Sequence, residues 1–141
     1  EPDVINHNIE SCRRVFRNVR PRGDYDQSIE LLKRVKDSIF DIPTKSGMMV
    51  GLGETDEEII EALQMLKDAQ VDLVTIGQYL APSPNHLPVD RFPEPSQYDE
   101  WSQEIEKMGF LGWACGPLVR SSYKAGELLA KASARLRTDK E

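Results

Sequence analysis

The sequence predicts an α/β protein built on a parallel sheet, and three observations carry that prediction. Short apolar, β-branched runs alternate with amphipathic helical patterns along the chain. No tight-turn signal joins two neighbouring runs, so hairpins are not expected. Lys45 to Glu54 reads as a buried strand that enters a glycine turn, carries a carboxylate and opens at once into a helix. In α/β proteins such a junction is where small ligands sit, because strand ends and helix N-termini present open backbone groups to a crevice.

Each element follows from its own pattern. Val4 to Ile9 reads as a strand that runs into polar residues. Ser11 to Val19 is a short helix with Cys12, Val15, Phe16 and Val19 on one face. Asp24-Tyr25-Asp26-Gln27 resembles a capping box for a helix burying Ile29, Leu32, Val35 and Ile39. Thr55-Asp56-Glu57-Glu58 is a stronger one, and its acids suit the positive helix terminus. The helix it opens turns Ile59, Ala62, Leu63, Leu66 and Ala69 inward. Val71 to Gly77 is a β-branched strand, followed by Gln78-Tyr79-Leu80 and a stiff connection over 81–95 with five prolines. Helix is expected from about Gln97, with Tyr98, Trp101, Ile105 and Met108 at helical spacing. Residues 109–115 read as a last strand, and a final helix covers roughly 123–136.

These elements make a small doubly wound sheet or part of a β/α barrel. The chain starts at Glu1 without a methionine and enters strand-like sequence almost directly, which half a barrel, a cut piece of a longer protein, explains best. The domain expectation is a partial barrel over 1–110, then a last strand and C-terminal extension over 111–141. Such a half should expose strand edges and core.

Composition narrows the function classes. The 141 residues carry a net charge of -6, with 39% hydrophobic and 30% charged residues, as in ordinary globular proteins. The charge is uneven: 54–72 holds seven acids against one lysine, whereas 1–22 and 120–137 each hold five bases. An acidic average lacks the continuous basic face that nucleic acid needs. No apolar run is long enough for a membrane span and no secretion signal is evident. Cys12 and Cys115 belong to no metal-type spacing and read as small buried hydrophobes in a reducing compartment.

Three polar clusters sit at strand exits. The first is Asn6-His7-Asn8 with Glu10, where His7 is a ligand, a base or a hydrogen-bonded structural residue. The second is Lys45 to Glu54, which is neither a dinucleotide fingerprint nor a P-loop. The third is Gly116 to Tyr123, in which Arg120 could grip a carboxylate and Ser121 or Ser122 could simply cap the last helix. No Ser-His-Asp order, G-x-S-x-G elbow or zinc spacing is present. Residues alone therefore define an α/β ligand-binding domain with its function open.

Taken together, the clusters resemble the lipoyl synthase family of the radical S-adenosylmethionine superfamily. The matching pieces are Asn6-His7-Asn8-Ile9-Glu10, Val19-Arg20-Pro21, Thr44 through Thr55, Thr75 through Ser83, His86-Leu87-Pro88-Val89 and Gly116 through Tyr123, in family order. The resemblance implies the C-terminal half of a partial parallel, TIM-like β/α barrel plus a C-terminal helical extension. The superfamily G-x-I-x-G-x-x-E element falls on Gly47, Met49, Gly51 and Glu54, with methionine for isoleucine. By resemblance that strand, with Lys45 and with Gln78, Tyr79 and Leu80, lines the adenosylmethionine pocket. The resemblance also implies ribose or substrate contacts for Asn6, Asn8 and Glu10. The space over Gly51 is where ligand would meet main chain.

The resemblance further implies that Ser121, with Ser122 as runner-up, ligates an auxiliary 4Fe-4S cluster that donates sulfur, and that Arg120 steers the serine or the developing sulfur anion. A hard serine oxygen is a weaker match for such iron than cysteine thiolate, and so can be released. The implied reaction inserts two sulfur atoms at C6 and C8 of a protein-bound octanoyl chain by a 5′-deoxyadenosyl radical. Two 4Fe-4S clusters, an octanoylated lipoyl-carrier protein or domain, and a ferredoxin- or flavodoxin-type electron donor are implied with it. So is a cytoplasmic location in a bacterium, or a mitochondrial or plastid one in a eukaryote. The chain departs from the family in lacking both cysteine triads, which lie upstream of residue 1 there. The isolated polypeptide is therefore expected to bind no cluster stably and to make no lipoyl product. A stand-alone α/β small-molecule-binding module without radical chemistry is the alternative.

Overall fold

A computed structural model describes residues 4–38 and 42–119. Among them are β1 (Ile5–Asn6), α1 (Arg13–Val19), α2 (Tyr25–Ser38), β2 (Thr44–Val50), α3 (Asp56–Asp68), β3 (Leu73–Gln78), α4 (Pro95–Met108) and β4 (Gly112–Cys115). The four strands form one sheet in the order β1-β2-β3-β4, every pair parallel. β4, which opens the segment 111–141, is thus hydrogen-bonded to β3 in the same sheet as the rest.

Strand geometry sends alternate side chains to opposite faces. Met48 and Val50 of β2 and Val74 and Ile76 of β3 pack into one core with Phe16, Leu32, Ile59, Leu63, Leu66, Trp101 and Ile105. All four described helices contribute to that core, so they lie on one side of the sheet. Sequential strand order with helices on a single side is the arrangement of a β/α barrel segment, whereas a doubly wound sheet covers both faces and reverses its order. The expected α/β fold, consistent with a partial TIM-like barrel, is the one observed. Leu63 and Leu66 are fully buried, and cutting either back to alanine should cost about 2–5 kcal/mol.

The opposite face carries Lys45, Gly47, Met49, Leu73 and Thr75. It is not the bare core expected of half a barrel: Lys45, Leu73 and Thr75 are 2%, 0% and 2% exposed. Val4, Leu111 and Ala114 pack against Leu73 there.

The helix signals act as read, with two shifts. Thr55 Oγ1 accepts from Glu58 N–H at 3.2 Å while Glu58 Oε1 accepts from Thr55 N–H at 2.9 Å, closing the capping box. At α2 only one half forms: Gln27 N–H donates to Asp24 Oδ1 at 3.1 Å. Ile39 lies outside the described residues, and Tyr25 joins Leu32 as the buried pair of α2. α4 begins two residues before Gln97, at Pro95, whose fixed φ suits the first helical position. The regular part of β1 is shorter than residues 4–9. His7 N–H still donates to Lys45 O and Ile9 N–H to Gly47 O, but Glu10, at φ 67°, bends the chain out of extended geometry. The expected helix over 123–136 lies outside the described residues.

Candidate functional site

A cavity of about 270 Å³ opens at the C-terminal ends of β2 and β3. Asn8, Glu10, Gly47, Met49, Gln78 and Leu80, all expected from the sequence, line it together with Met48, Thr75, Gly77 and Val119. The parallel register explains the convergence, since Gly47 lies opposite Thr75 and Met49 opposite Gly77. Four separate segments therefore meet at one space.

The mouth is formed by Glu10. Its carbonyl accepts from Met49 N–H at 2.8 Å, and its left-handed backbone is uncommon for a side-chain-bearing residue. Arg20 Nη1 lies 3.7 Å from its carboxylate and holds it from outside the cavity.

The floor is formed at Gly47. A side chain there would stand 2.5 Å from Thr75 Oγ1 and 3.1 Å from Asn8 Oδ1, so both polar groups already occupy the space that glycine leaves. Asn8 Oδ1 is buried with no hydrogen-bond partner. A buried acceptor left open is expensive unless something fills its site.

The neighbouring turn is built differently. Gly51, at φ 93°, has Arg91 O and Gln78 Nε2 each 2.5 Å from where a Cβ would sit. The space expected to admit a ligand over Gly51 is thus taken by the chain itself. Glu54 accepts from Gly51 N–H at 2.7 Å and Leu52 N–H at 2.9 Å. Gln78 Nε2 donates to Arg91 O at 3.1 Å and to Tyr79 O at 3.0 Å, while Asp90 N–H donates to Gly51 O at 2.7 Å. Tyr79 O–H donates to Leu87 O at 2.7 Å. These bonds staple the proline-rich connection across the strand ends. Gly51, Glu54 and Tyr79 fix the turn without lining the cavity, whereas Gln78 does both.

The other expected residues lie apart from the cavity. Lys45 is buried on the same face one strand pair below Gly47, and burial lowers its pKa. Asn6 stands opposite Lys45 and is exposed. Arg120 and Ser121 lie outside the described residues, as does Ser122. Thr75 was missing from the expected set, although β3 carries a trace of it: Thr75 and Gly77 alternate with apolar Val74 and Ile76.

Among the described residues no group of three or more His, Cys, Asp or Glu is arranged to hold a metal ion. Burial pushes the Cys115 thiol up to about 11 and also raises Cys12, whose Sγ lies 3.6 Å from Glu58 Oε2. Metal-ligating cysteine is a thiolate, so both environments oppose that role. Arg14 braces α1 to the start of α3, donating to Glu58 at 2.8 and 2.9 Å and to Gly53 O at 2.6 Å. The Arg14 hydrogen bond, then the Thr55 backbone N–H, holds Glu58 down at about 2. No described helix is long and apolar enough to cross a membrane.

Comparison with known proteins adds sequence relationships to this geometry. Residues 1–66 match the family model described as the Radical SAM superfamily. The chain is 56% identical over 130 residues to the lipoyl synthase of Actinobacillus pleuropneumoniae serotype 5b, covering 92% of this chain and 39% of that protein. It is 55% identical over 130 residues to the lipoyl synthase of Escherichia coli O1:K1 / APEC, covering 92% and 40% respectively. For the lipoyl synthase of Pseudomonas paraeruginosa the identity is 51% over 126 residues, covering 89% and 38%. The chain spans about two fifths of the length of these curated relatives.

Proposed function

We propose, from the premise that this chain is a lipoyl synthase homologue within the radical S-adenosylmethionine superfamily, that it supplies the adenosylmethionine-binding wall of such an enzyme. The whole enzyme would insert sulfur at C6 and C8 of an octanoyl chain held on a carrier protein, with electrons from a ferredoxin- or flavodoxin-type donor. The observation that carries the proposal is the meeting of Asn8, Glu10, Gly47, Met49, Gln78 and Leu80 on one cavity.

The residues present suit a nucleoside. Asn8 offers an open buried acceptor and Glu10 a carboxylate at the mouth, while Met49 and Leu80 give an apolar wall for a flat base. When bound, adenosylmethionine supplies the hydrogen-abstracting radical; the chain's own part is to bind, orient and shield. Glu10 accepts hydrogen bonds from the ligand, with Arg20 fixing the carboxylate. Gly51, Glu54 and Tyr79 act by holding the turn and the proline-rich connection in place.

Iron–sulfur clusters do not fit the described residues, which provide no ligand set. The reading therefore assigns their cysteines to another part of the enzyme, keeps Ser121 and Arg120 as the auxiliary-cluster pair, and predicts an inactive fragment. Two measurements test it. Equilibrium binding of adenosylmethionine to the natural-length, cluster-loaded polypeptide should weaken at least tenfold in Met49→Glu, which puts a charge on the apolar wall; unchanged affinity would remove the cavity from consideration. Anaerobic reconstitution of the 141-residue chain should leave it without stoichiometric iron and without lipoyl product by mass spectrometry, and a full cluster on this chain would refute the fragment reading.

A further inference from the structure

Beside the cavity mouth the chain carries a turn of arginines that the fold leaves largely unneutralised. Residues 13–22 hold five arginines and no acid, in a chain whose net charge is -6. Two of the five are engaged within the fold: Arg13 pairs with Asp26 at 2.6 Å, and Arg14 grips Glu58 at 2.8 and 2.9 Å. The other three, Arg17, Arg20 and Arg22, are exposed. Among the described residues Arg17 and Arg22 make no ion pair or side-chain hydrogen bond, and the Arg20 guanidinium has only its 3.7 Å approach to Glu10.

The platform under them is rigid. Gly23 N–H donates to Arg20 O at 2.9 Å, closing a tight turn with Pro21 at the position its fixed φ suits. A side chain at Gly23 would meet the buried Phe16 ring at 3.0 Å, so the turn lies directly against the core. Arg17 stands in the last turn of α1, three residues before the capping Arg20, a spacing that makes helix neighbours. Val19 to Gly23 line a shallow hollow of about 370 Å³. Arg20 ties this hollow to Glu10, and so to the mouth of the cavity.

We propose that Arg17, Arg20 and Arg22 form the docking surface for an acidic face of the protein that carries the acyl chain. Every cation here is arginine, whose planar fork pairs carboxylates bidentately and is more weakly hydrated than lysine. The patch is short and bounded by Glu10, Asp24 and Asp26, whereas nucleic acid tracks a continuous basic face. An acyl chain tethered to a protein reaches the cavity only when that protein's surface comes against the rim, and the rim next to Glu10 is this one. An electron donor has instead to approach the clusters, whose cysteines the proposed function assigns to another part of the enzyme. The inference rests on that function and adds where the carrier lands.

The test uses the natural-length, cluster-loaded polypeptide and the double variant Arg17→Glu/Arg22→Glu, which leaves Arg20 and its contact with Glu10 in place. The probes are an octanoylated lipoyl domain, a tripeptide bearing an octanoylated lysine, adenosylmethionine and flavodoxin. Association of the octanoylated domain should slow about tenfold at low salt, because rim charges act mainly on encounter. The difference should close near about 1 M salt, where the screening length is about 3 Å. Arg17→Lys/Arg22→Lys keeps the charge and should stay within about threefold of the wild type. Affinity for the tripeptide and for adenosylmethionine should not change. Unchanged association of the domain would overturn the docking surface while leaving the adenosylmethionine wall standing. A loss for flavodoxin equal to or larger than that for the domain would overturn it too, as would equal weakening of the domain, the tripeptide and adenosylmethionine. Failure of the wild type to bind the octanoylated domain would overturn both the surface and the carrier-bound substrate. Should thermal melting show the double reversal destabilised, Arg17→Gln/Arg22→Gln carries the same test with a fall of about threefold.

Discussion

Gly47 and Gly51 lie on one strand-to-turn segment, and both spaces that their missing side chains leave are filled by the protein's own polar atoms. The fillings differ in kind. Around Gly51 the neighbours form a saturated network: Glu54 takes two backbone N–H groups, Gln78 donates to two carbonyls, and Asp90 N–H closes on Gly51 O. Around Gly47 the intruding groups are left open toward a cavity, and Asn8 Oδ1 has no partner. A closed network with a left-handed glycine is a scaffold. An open one beside empty volume is a place for something to bind. A glycine-rich segment therefore carries two jobs within a few residues, and only the state of the surrounding hydrogen bonds tells them apart.

Substitutions should separate the two jobs. The largest effect is expected at Gly51→Ala, where the φ of 93° is hostile to a side chain and the Cβ meets a backbone carbonyl at 2.5 Å. Denaturant unfolding should show a loss of about 2–4 kcal/mol, and a wild-type midpoint would break the scaffold assignment. Gly47→Ala should do the reverse, lowering nucleoside affinity more than tenfold while stability falls by less than at Gly51. Equal stability losses at the two sites would erase the distinction.

Glu10→Gly sharpens the picture at the mouth. It removes a left-handed strain of about 1–2 kcal/mol, offset by the greater chain entropy of glycine, so the melting point should move little. Affinity should fall about tenfold through loss of a charge-assisted hydrogen bond. A parallel fall in both would mean that Glu10 serves folding. The smallest effect concerns the brace from α1 to the turn. Glu58 is held at about 2, below its ordinary 4.5, so its contribution is present above the ordinary value and disappears as pH falls through the folded one. The stability gap between wild type and Glu58→Gln should be constant from pH 5 to 7 and close between about pH 4.5 and 2; a gap that persists at pH 2 would assign it to something other than charge.

Much of the fold was legible in the chain. The Thr55 capping box, the inward stripe from Ile59 to Ala69 and the β-branched run over 71–77 are local patterns, and each formed within a residue or two of its expected bounds. Of the cavity residues, Asn8, Glu10, Gly47 and Met49 were legible as parts of strand-exit clusters, whereas Gln78 and Leu80 were expected only through the family resemblance. The length of β1 was not, since the left-handed Glu10 depends on its carbonyl being drawn to Met49 N–H across the sheet.

By itself the sequence determined periodicity, caps and the glycine-carboxylate turn, because these arise from residues a few positions apart whose geometry the backbone dictates. Tertiary structure alone decided which face of the sheet met the helices, which glycine faced a cavity and that Thr75 belonged beside Asn8. Those outcomes depend on parallel register between segments separated by whole helices, and one residue of slip would have turned Thr75 to the opposite face.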